Sequence, residues 1–312
     1  MALASVSLPR IHSRNLKSDL DLDASELPAL LNLAREVKSA PAAFRHALAG
    51  KSLALLFEMP SLRTRLTFEL GMQQLGGFTV LSEGPLGVRE PICDVARNLS
   101  RWVTGIVART FRQETIEELA RWASVPVINA LSSDWHPCQA LADMQTINER
   151  FGSARGLKLA FIGDGNNVSN SLMICAARLG MEFAIGVPER YSPNAKIVAE
   201  ARAMGGKVTV TSDPFAATSG AHVVYTDVWA SMGAEQETAE RAAAFESYRV
   251  DDRLFAAARP DAIFMHCLPA HRGEEVTDSV IESPRSAVLD QAENRLHAQK
   301  ALLLMLLADG QI

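Results

Sequence analysis

The sequence of 312 residues lacks the features that mark secreted and membrane proteins. It has only four cysteines, Cys93, Cys138, Cys175 and Cys267, and no two of them are spaced Cys-x-x-Cys. In a chain of this length they are expected to stay reduced rather than to form a disulfide framework. No apolar run is long enough to span a bilayer, and residues 1–6 lack the charged and apolar regions of a signal peptide. We therefore expect a soluble, cytoplasmic protein that does not associate with membranes.

Two further absences narrow the classes of ligand. The formal net charge is −5, whereas a nucleic-acid-binding protein needs a concentrated basic face, so no nucleic-acid partner is expected. No Gly-Lys-Ser or Gly-Lys-Thr loop is present, which excludes a nucleotide-binding P-loop. The hydrophobic fraction of 48% and the charged fraction of 21% are ordinary for a globular protein, and the length predicts about two domains.

Short β-rich runs alternate with amphipathic helical patterns, which predicts parallel sheets covered by helices on both faces. The predicted strands cover residues 52–57, 78–81, 105–108, 125–128, 158–162, 182–187, 208–210, 222–226 and 263–266. The predicted helices cover residues 24–37, 66–70, 115–123, 141–150, 169–179, 195–204 and 293–307. We expect two doubly wound α/β domains, residues 1–134 and 135–290, with an active-site cleft between them. A C-terminal helix within residues 291–312 is expected to pack back on the first domain.

The most informative segment is residues 57–65, whose sequence is FEMPSLRTR. It joins a predicted strand to a predicted helix, and a helix start offers unpaired N–H groups and the positive end of the helix dipole. Together with Ser61, Thr64, Arg63 and Arg65, such a turn is an oxyanion cradle suited to phosphate. The alternative is a capped helix whose arginines are merely solvated.

Other polar clusters also follow predicted strands, where ligands bind in parallel sheets. His136 precedes Pro137 at a predicted helix start, so His136 and Gln139 lie near one face of that helix. A histidine at that place can donate to a carbonyl oxygen that develops negative charge. A histidine that only caps the helix is the alternative.

Residues 163–167, of sequence GDGNN, resemble the start of a dinucleotide fingerprint, but Val168 stands where the third glycine belongs. A nicotinamide dehydrogenase is therefore a weak interpretation. Asparagine carboxamides suit the α-amino and carboxylate groups of an amino acid instead. In the segment of residues 226–233, Asp227 can pair with a substrate ammonium and Ser231 with a carboxylate, unless this is an ordinary loop.

Residues 266–271, of sequence HCLPAH, invite a zinc interpretation. Adjacent residues on a strand point to opposite faces, so His266 and Cys267 are not expected to share a metal. No standard zinc spacing lies nearby, and we predict no metal site. Cys267 is either a structural thiol or, beside an acidic residue such as Asp227, a group that orients or deprotonates an incoming amine.

Taken in order, these segments resemble the carbamoyltransferases, and among them the ornithine carbamoyltransferases. The resemblance runs from about residue 53 to residue 307 and is specific because so many segments occur in the same order. The matching segments are residues 61–65, 109–111, 136–139, 163–167, 226–233, 266–269 and 293–297.

The resemblance implies transfer of the carbamoyl group of carbamoyl phosphate to the δ-amine of L-ornithine, without metal or organic cofactor. It also implies a homotrimer or a multiple of trimers, and a place in arginine biosynthesis or breakdown. The residues implied for carbamoyl phosphate are Ser61, Leu62, Arg63, Thr64, Arg109, His136, Gln139, Leu268 and Arg295. Those implied for ornithine are Asn167, Asp227, Ser231 and Met232. The implied catalytic groups are Arg109, His136, Asp227 and Cys267.

The chain departs from the family pattern at the phosphate site. Leu62 stands where the family usually has threonine, and Met59 stands where it often has lysine. The loop of residues 82–90 is shorter than usual, and Pro85 stands where the family has a glutamine that reaches a neighbouring subunit. Arg89 is a candidate substitute for that glutamine.

Three other functions compete with ornithine carbamoylation. A sister carbamoyltransferase would use another acceptor, such as an N-acylated ornithine, putrescine or aspartate. A catalytically weak paralogue would act as a binding or regulatory subunit, and its support is Leu62 and the short loop. A dehydrogenase is the third.

Overall fold

The structure is a computed structural model that describes residues 8–230 and 237–310. The chain divides into two compact units, of which the first comprises residues up to Gln145 and from Asn294 onward. The second unit is Thr146–Glu293. The boundary predicted from the sequence, between residues 134 and 135, lies shortly before the first of these divisions.

The described part of the first unit contains four strands, β1 (Ser52–Phe57), β2 (Phe78–Glu83), β3 (Gly105–Arg109) and β4 (Val127–Leu131). They pair in parallel in the order β2-β1-β3-β4. The central strands β1 and β3 are buried along their whole length, as their nearly continuous apolar sequences require in a sheet covered on both faces. The direction of strand addition reverses between β1 and β3, which makes the ends of these two strands the switch point of the sheet.

The helices that begin in the first half of the chain are α1 (Glu26–Ser39), α2 (Leu62–Gln74), α3 (Ile92–Leu99), α4 (Gln113–Trp122) and α5 (Pro137–Phe151). One face of the sheet packs against α3 and α4 through a buried apolar cluster. Its largest members are Leu56, Ile92, Ile106, Ile116 and Leu119.

Five strands form the sheet within the described part of the second unit: β5 (Lys158–Ile162), β6 (Glu182–Gly186), β7 (Lys207–Thr211), β8 (Val223–Thr226) and β9 (Ile263–His266). All pairs are parallel, and the order is β7-β6-β5-β8-β9. The chain moves outward on one side of β5 and then on the other, so the switch point lies between β5 and β8.

The helices that follow are α6 (Asn167–Leu179), α7 (Ala195–Ala203), α8 (Pro214–Thr218), α9 (Thr238–Phe245), α10 (Asp252–Phe255), α11 (Asp278–Ile281) and α12 (Val288–Leu307). From Asn294 onward, α12 belongs to the first unit. Asn294 accepts a hydrogen bond from Lys38 of α1 at 2.8 Å, and Lys300 donates to Gln74 of α2 at 2.9 Å. The predicted return of the C-terminal helix to the first domain is therefore confirmed.

The predicted fold class, two α/β units each built on a parallel sheet, is also confirmed. Within residues 8–230 and 237–310, no helix combines the length and the apolar character needed to cross a bilayer.

Candidate active site

The start of α2 lies just after β1, at the switch point of the first sheet. Ser61 is the N-cap, and its Oγ accepts a hydrogen bond from the Thr64 backbone N–H at 3.3 Å. The first turn thus presents backbone donors and the positive end of the helix dipole to an anion. The Leu62 side chain is 71% exposed, so what this residue offers an anion here is its backbone N–H.

Arg295 of α12 joins this helix start from a distant part of the sequence. Its guanidinium is buried and donates from Nη2 to Thr64 Oγ1 at 3.0 Å and from Nη1 to Gln139 Oε1 at 2.6 Å. The structure therefore brings three residues predicted to hold carbamoyl phosphate into one hydrogen-bonded group.

Arg109 is the last residue of β3, and it lies on the other side of the same switch point. Arg109 is only 5% exposed, and its backbone carbonyl accepts a hydrogen bond from the Glu58 N–H at 3.0 Å. The Glu58 carboxylate in turn accepts from the N–H groups of Phe111 and Leu86, both at 2.9 Å. Glu58 thus fixes the loop that follows Arg109, a role that the sequence interpretation missed.

His136 immediately precedes α5 and is buried. Burial lowers its pKa well below the usual value, and the positive charges of Arg295, Arg109 and Arg63 lower it further. The imidazole is therefore neutral at pH 7, with one nitrogen that can donate. A neutral donor surrounded by guanidinium groups suits a carbonyl oxygen that gains negative charge.

A buried polar network shapes the turn before His136. Ser132 Oγ donates to Gln113 Oε1 at 2.5 Å and accepts from the Trp135 N–H at 3.3 Å. Asn129 Nδ2 donates to Ser132 Oγ at 3.0 Å. Gln113 follows β3, so this network connects the loop after Arg109 with the turn that carries His136. None of the three polar side chains was singled out from the sequence.

In the second unit, Asp227 follows β8 at the switch point of the sheet and is buried. Its Oδ1 accepts from Cys267 Sγ at 2.9 Å and from the Val228 N–H at 2.8 Å. Its Oδ2 accepts from Asn166 Nδ2, also at 2.8 Å. The predicted proximity of Asp227 and Cys267 is thereby observed.

Asn166 caps α6, since its Oδ1 accepts from the Val168 and Ser169 N–H groups, both at 3.0 Å. The sequence interpretation chose Asn167, which is half-buried as the first residue of α6. The contact of Asn166 with Asp227 went unpredicted because it depends on the pairing of β5 with β8.

Arg241 of α9 forms hydrogen bonds with the loops around Asp227 and Asn166. Its Nη1 donates to Asp164 Oδ2 at 2.6 Å and to the Trp229 carbonyl at 3.0 Å. Burial raises the pKa of Asp164, although the Arg241 hydrogen bond opposes this shift. Arg241 thus connects the loops after β5 and β8, and nothing in the local sequence pointed to it.

The turn after β9 is held by a buried histidine. His266 Nε2 donates to Glu275 Oε1 at 3.2 Å, because Nδ1 accepts from the Leu268 N–H at 2.8 Å. Leu268 has φ of 57°, in the left-handed region that is costly for a residue with a Cβ. The His266 contacts help to stabilise this conformation, which sets the direction of the Leu268 carbonyl.

The expectation that His266 and Cys267 point away from each other is wrong. Ligand atoms of Asp227, His266 and Cys267 lie within 4.8 Å of one another. Strand alternation does not extend to Cys267, because β9 ends at His266. Both ring nitrogens of His266 are nevertheless occupied by hydrogen bonds, which a metal would have to replace. Ser231 and Met232, predicted to hold ornithine, lie outside the described residues.

Two family models cover most of the chain. Residues 14–149 match the carbamoyl-P binding domain of aspartate/ornithine carbamoyltransferase, and residues 155–306 match the Asp/Orn binding domain. The chain belongs to the aspartate/ornithine carbamoyltransferase family.

Individual members of this family are similar over nearly their whole length. An ornithine carbamoyltransferase of Methanoculleus marisnigri is 52% identical over 303 residues, covering 95% of this chain and 98% of that protein. The structure of ornithine carbamoyltransferase from Pyrococcus furiosus has a TM-score of 0.91 at 46% identity, covering 97% of this chain and 98% of the other. The Thermus thermophilus ornithine carbamoyltransferase has a TM-score of 0.87 at 47% identity, covering 95% and 99%.

Proposed function

We propose that the protein transfers the carbamoyl group of carbamoyl phosphate to the δ-amine of L-ornithine, giving L-citrulline and phosphate. The observation that carries this proposal is the group of guanidinium side chains around a neutral His136, of which those of Arg109 and Arg295 are buried, in a chain that belongs to this family. That group fits an anionic substrate with a polarisable carbonyl, which is the chemistry of carbamoyl phosphate.

Carbamoyl phosphate is assigned to the first unit. The helix start at Ser61, together with Leu62, Arg63, Thr64 and Arg109, would hold the phosphate, because backbone N–H groups and guanidinium groups favour such an anion.

The same unit would activate the carbamoyl group for attack. Arg109, Thr64 and His136 would polarise the carbonyl oxygen, which becomes an oxyanion when the amine adds. Gln139 would bind the carbamoyl amide, and Arg295 would hold the ligand from α12. Because Thr64, Gln139 and Arg295 are already joined by hydrogen bonds, these three groups need little reorganisation during the reaction.

Ornithine is assigned to Asn167, Asp227, Ser231 and Met232, with Cys267 beside its δ-amine. An amine of this type has a pKa of about 10, so the site must bind or generate the neutral form before attack. The Asp227 carboxylate and the Cys267 thiol, 2.9 Å apart, are the groups placed to orient it.

The carbamoyl transfer conserves atoms and charge without an added base or cofactor. The lone pair of the δ-nitrogen forms a bond to the carbonyl carbon, and the bond from that carbon to the phosphate oxygen breaks. The departing phosphate takes the proton that the nitrogen loses. Holding both reactants in one geometry supplies much of the remaining acceleration.

The test is citrulline formation from carbamoyl phosphate and L-ornithine, with N-acetylornithine, putrescine and aspartate as parallel acceptors. We expect turnover with ornithine alone. Turnover with another amine would keep the chemistry and reject the ornithine assignment. The absence of turnover with all four acceptors would favour a catalytically weak paralogue.

We also propose that copies of this chain form a homotrimer or a multiple of it. Leu62, Leu66 and Leu70 recur every four residues on one face of α2 and are 71%, 42% and 43% exposed. Phe78 and Val80 of edge strand β2 are 57% and 55% exposed. Exposed apolar side chains grouped in this way are typical of protein–protein interfaces. We call these five side chains the α2–β2 surface.

Substituting Leu66→Glu and Leu70→Glu together is expected to dissociate the oligomer, because charges would be buried in an apolar contact. Light scattering behind size-exclusion chromatography would show the mass of one chain in place of the wild-type mass. Leu289→Glu is the control, since Leu289 is also an exposed leucine, 76% exposed, but lies outside the α2–β2 surface. A double variant with the wild-type mass would place the interface elsewhere.

Thiol alkylation gives an independent check of the ornithine site. Cys175 is buried, and burial raises the pKa of Cys138 to about 12, so neither should react with iodoacetamide in the folded protein. Cys93 and Cys267 are only partly buried and should react. Ornithine with carbamoyl phosphate should protect Cys267 and leave Cys93 reactive, as measured by peptide mass spectrometry. Unprotected Cys267 would contradict its assigned position beside the amine.

We infer a cytoplasmic location, because all four cysteines are thiols, as is usual in a reducing compartment.

A further inference from the structure

Asp143 is a buried carboxylate of α5 to which neither the sequence nor the proposed mechanism assigns a role. It has no exposed surface and lies one helical turn after Gln139. Gln139 Nε2 donates a hydrogen bond to Asp143 Oδ1 at 2.8 Å. The carboxylate therefore binds the donor end of the Gln139 amide.

The acceptor end of the same amide faces the guanidinium of α12. Gln139 Oε1 accepts from Arg295 Nη1 at 2.6 Å, and Arg295 Nη2 donates to Thr64 Oγ1 at 3.0 Å. A carboxylate on one side and a cation on the other allow only one orientation of the amide, because the flipped amide would present donor to donor and acceptor to acceptor.

We propose that Asp143 is a positioning residue that determines selectivity for a carbamoyl over an acyl phosphate, an inference that rests on the proposed function. By holding Nε2, Asp143 keeps Gln139 Oε1 directed to the ligand side. A carbonyl oxygen has two lone pairs, so Oε1 can accept from the carbamoyl NH2 group while it also accepts from Arg295. Acetyl phosphate carries a methyl group at that place and gains nothing from an aligned acceptor.

The physical consequence is specific to one part of the ligand. Without an acceptor at position 143, the Gln139 NH2 group is left in a buried environment with an unmet hydrogen bond. The side chain then relaxes toward another rotamer, and the NH2 group of carbamoyl phosphate loses its acceptor. The phosphate is assigned to the α2 start, where, within the described part of the chain, the Ser61 cap and the backbone N–H groups form no hydrogen bond with Gln139, so phosphate binding should change much less.

The experiment compares three ligands on the full-length protein by titration calorimetry: carbamoyl phosphate, acetyl phosphate and inorganic phosphate. In Asp143→Ala we expect carbamoyl phosphate to bind about tenfold more weakly, the effect of one buried hydrogen bond, while the other two change less than about twofold. Asp143→Asn keeps an acceptor oxygen for Nε2, so it should retain most of the wild-type preference.

Glu26→Ala is the matched control, because Glu26 is another buried carboxylate of the first unit. It accepts from the N–H groups of Asp23 and His12 at the start of α1, and its loss should lower stability without changing any of the three affinities. If Asp143→Ala does not fold, Asp143→Leu removes the acceptor and keeps a side chain that branches at the same carbon, so the buried site stays filled.

Equal weakening of all three ligands would overturn the inference, since it would show a general structural or charge effect. An unchanged preference in Asp143→Ala, or a lost preference in Asp143→Asn, would also overturn it. The binding assay does not require turnover. If the wild-type protein binds carbamoyl phosphate but makes no citrulline, the proposed function is wrong, whereas the role of Asp143 in binding can still be tested.

Discussion

Replacing Arg109 by methionine is expected to lower kcat by about a thousandfold and to raise the KM for carbamoyl phosphate. Arg109 is buried at the end of β3, where the loop that follows is fixed by Glu58. In the proposed mechanism, its contact with the carbonyl oxygen would strengthen as the oxyanion forms, so its loss would act on kcat. Its proposed contact with the phosphate would be present in both the ground state and the transition state, so that loss would act on KM. Steady-state citrulline assays at varied carbamoyl phosphate measure both.

Methionine is chosen because it keeps much of the length of the arginine and leaves the buried site filled. The matched control is Arg112→Gln, three residues further on, where the arginine is exposed and paired with Glu114. We expect wild-type kinetics from that control, and melting temperatures of all three proteins report on the fold. An Arg109→Met enzyme within about tenfold of the wild-type kcat would show that another group polarises the carbonyl.

The fold was predictable because parallel strands that are buried on both faces leave a clear apolar pattern. The bounds of β1, β5 and β9 agree with the sequence prediction. β4 begins two residues later and ends three residues later than predicted. Its position is set by pairing with β3 and by the bridge between Leu16 and Ile128, contacts that a local pattern does not contain.

Five of the described helices were not predicted: α3, α8, α9, α10 and α11. α3 has only eight residues, and α8, α10 and α11 have four or five. α9 follows the segment of residues 226–233, which was interpreted as a strand end that becomes a loop. In α3, the apolar side chains of Ile92, Val95, Ala96 and Leu99 do follow helical spacing, so its pattern was available to a closer search.

In the candidate site, the charged residues that we expect to contact a substrate were named from the sequence, whereas the residues that hold them in place were not. Glu58, Asn166 and Arg241 contact partners that are 53, 61 and 77 residues away, respectively. Such contacts exist only once the strand order is fixed. Arg295 is the exception, since its segment was identified through the family resemblance.

Leu62 stands where the family usually has threonine, and the structure shows where its side chain lies. A hydroxyl is missing there, but the side chain points to solvent and the backbone N–H stays at the helix start. The same side chain extends the apolar face of α2 that Leu66 and Leu70 continue. The substitution is thus compatible with phosphate binding, and it enlarges the α2–β2 surface.

Replacing Asp227 by asparagine is expected to lower kcat/KM for ornithine by about a thousandfold, while affinity for carbamoyl phosphate alone stays unchanged. The carboxylate accepts from three donors, those of Cys267, Val228 and Asn166. An asparagine offers only one acceptor oxygen, so its NH2 group must face at least one of these donors. Asn166 cannot adapt by flipping its amide, because its Oδ1 already caps α6.

Ornithine kinetics and calorimetric titration with carbamoyl phosphate separate the two substrates in the Asp227→Asn variant. Asp261→Asn is the matched control, because Asp261 is an exposed carboxylate of the same unit, paired with Arg259. Its kinetics should equal those of the wild type, since an exposed ion pair contributes little. Weaker carbamoyl phosphate binding in Asp227→Asn would mean that Asp227 acts on the first substrate as well. Unchanged ornithine kinetics would show that the Asp227 carboxylate does not contact the reacting amine.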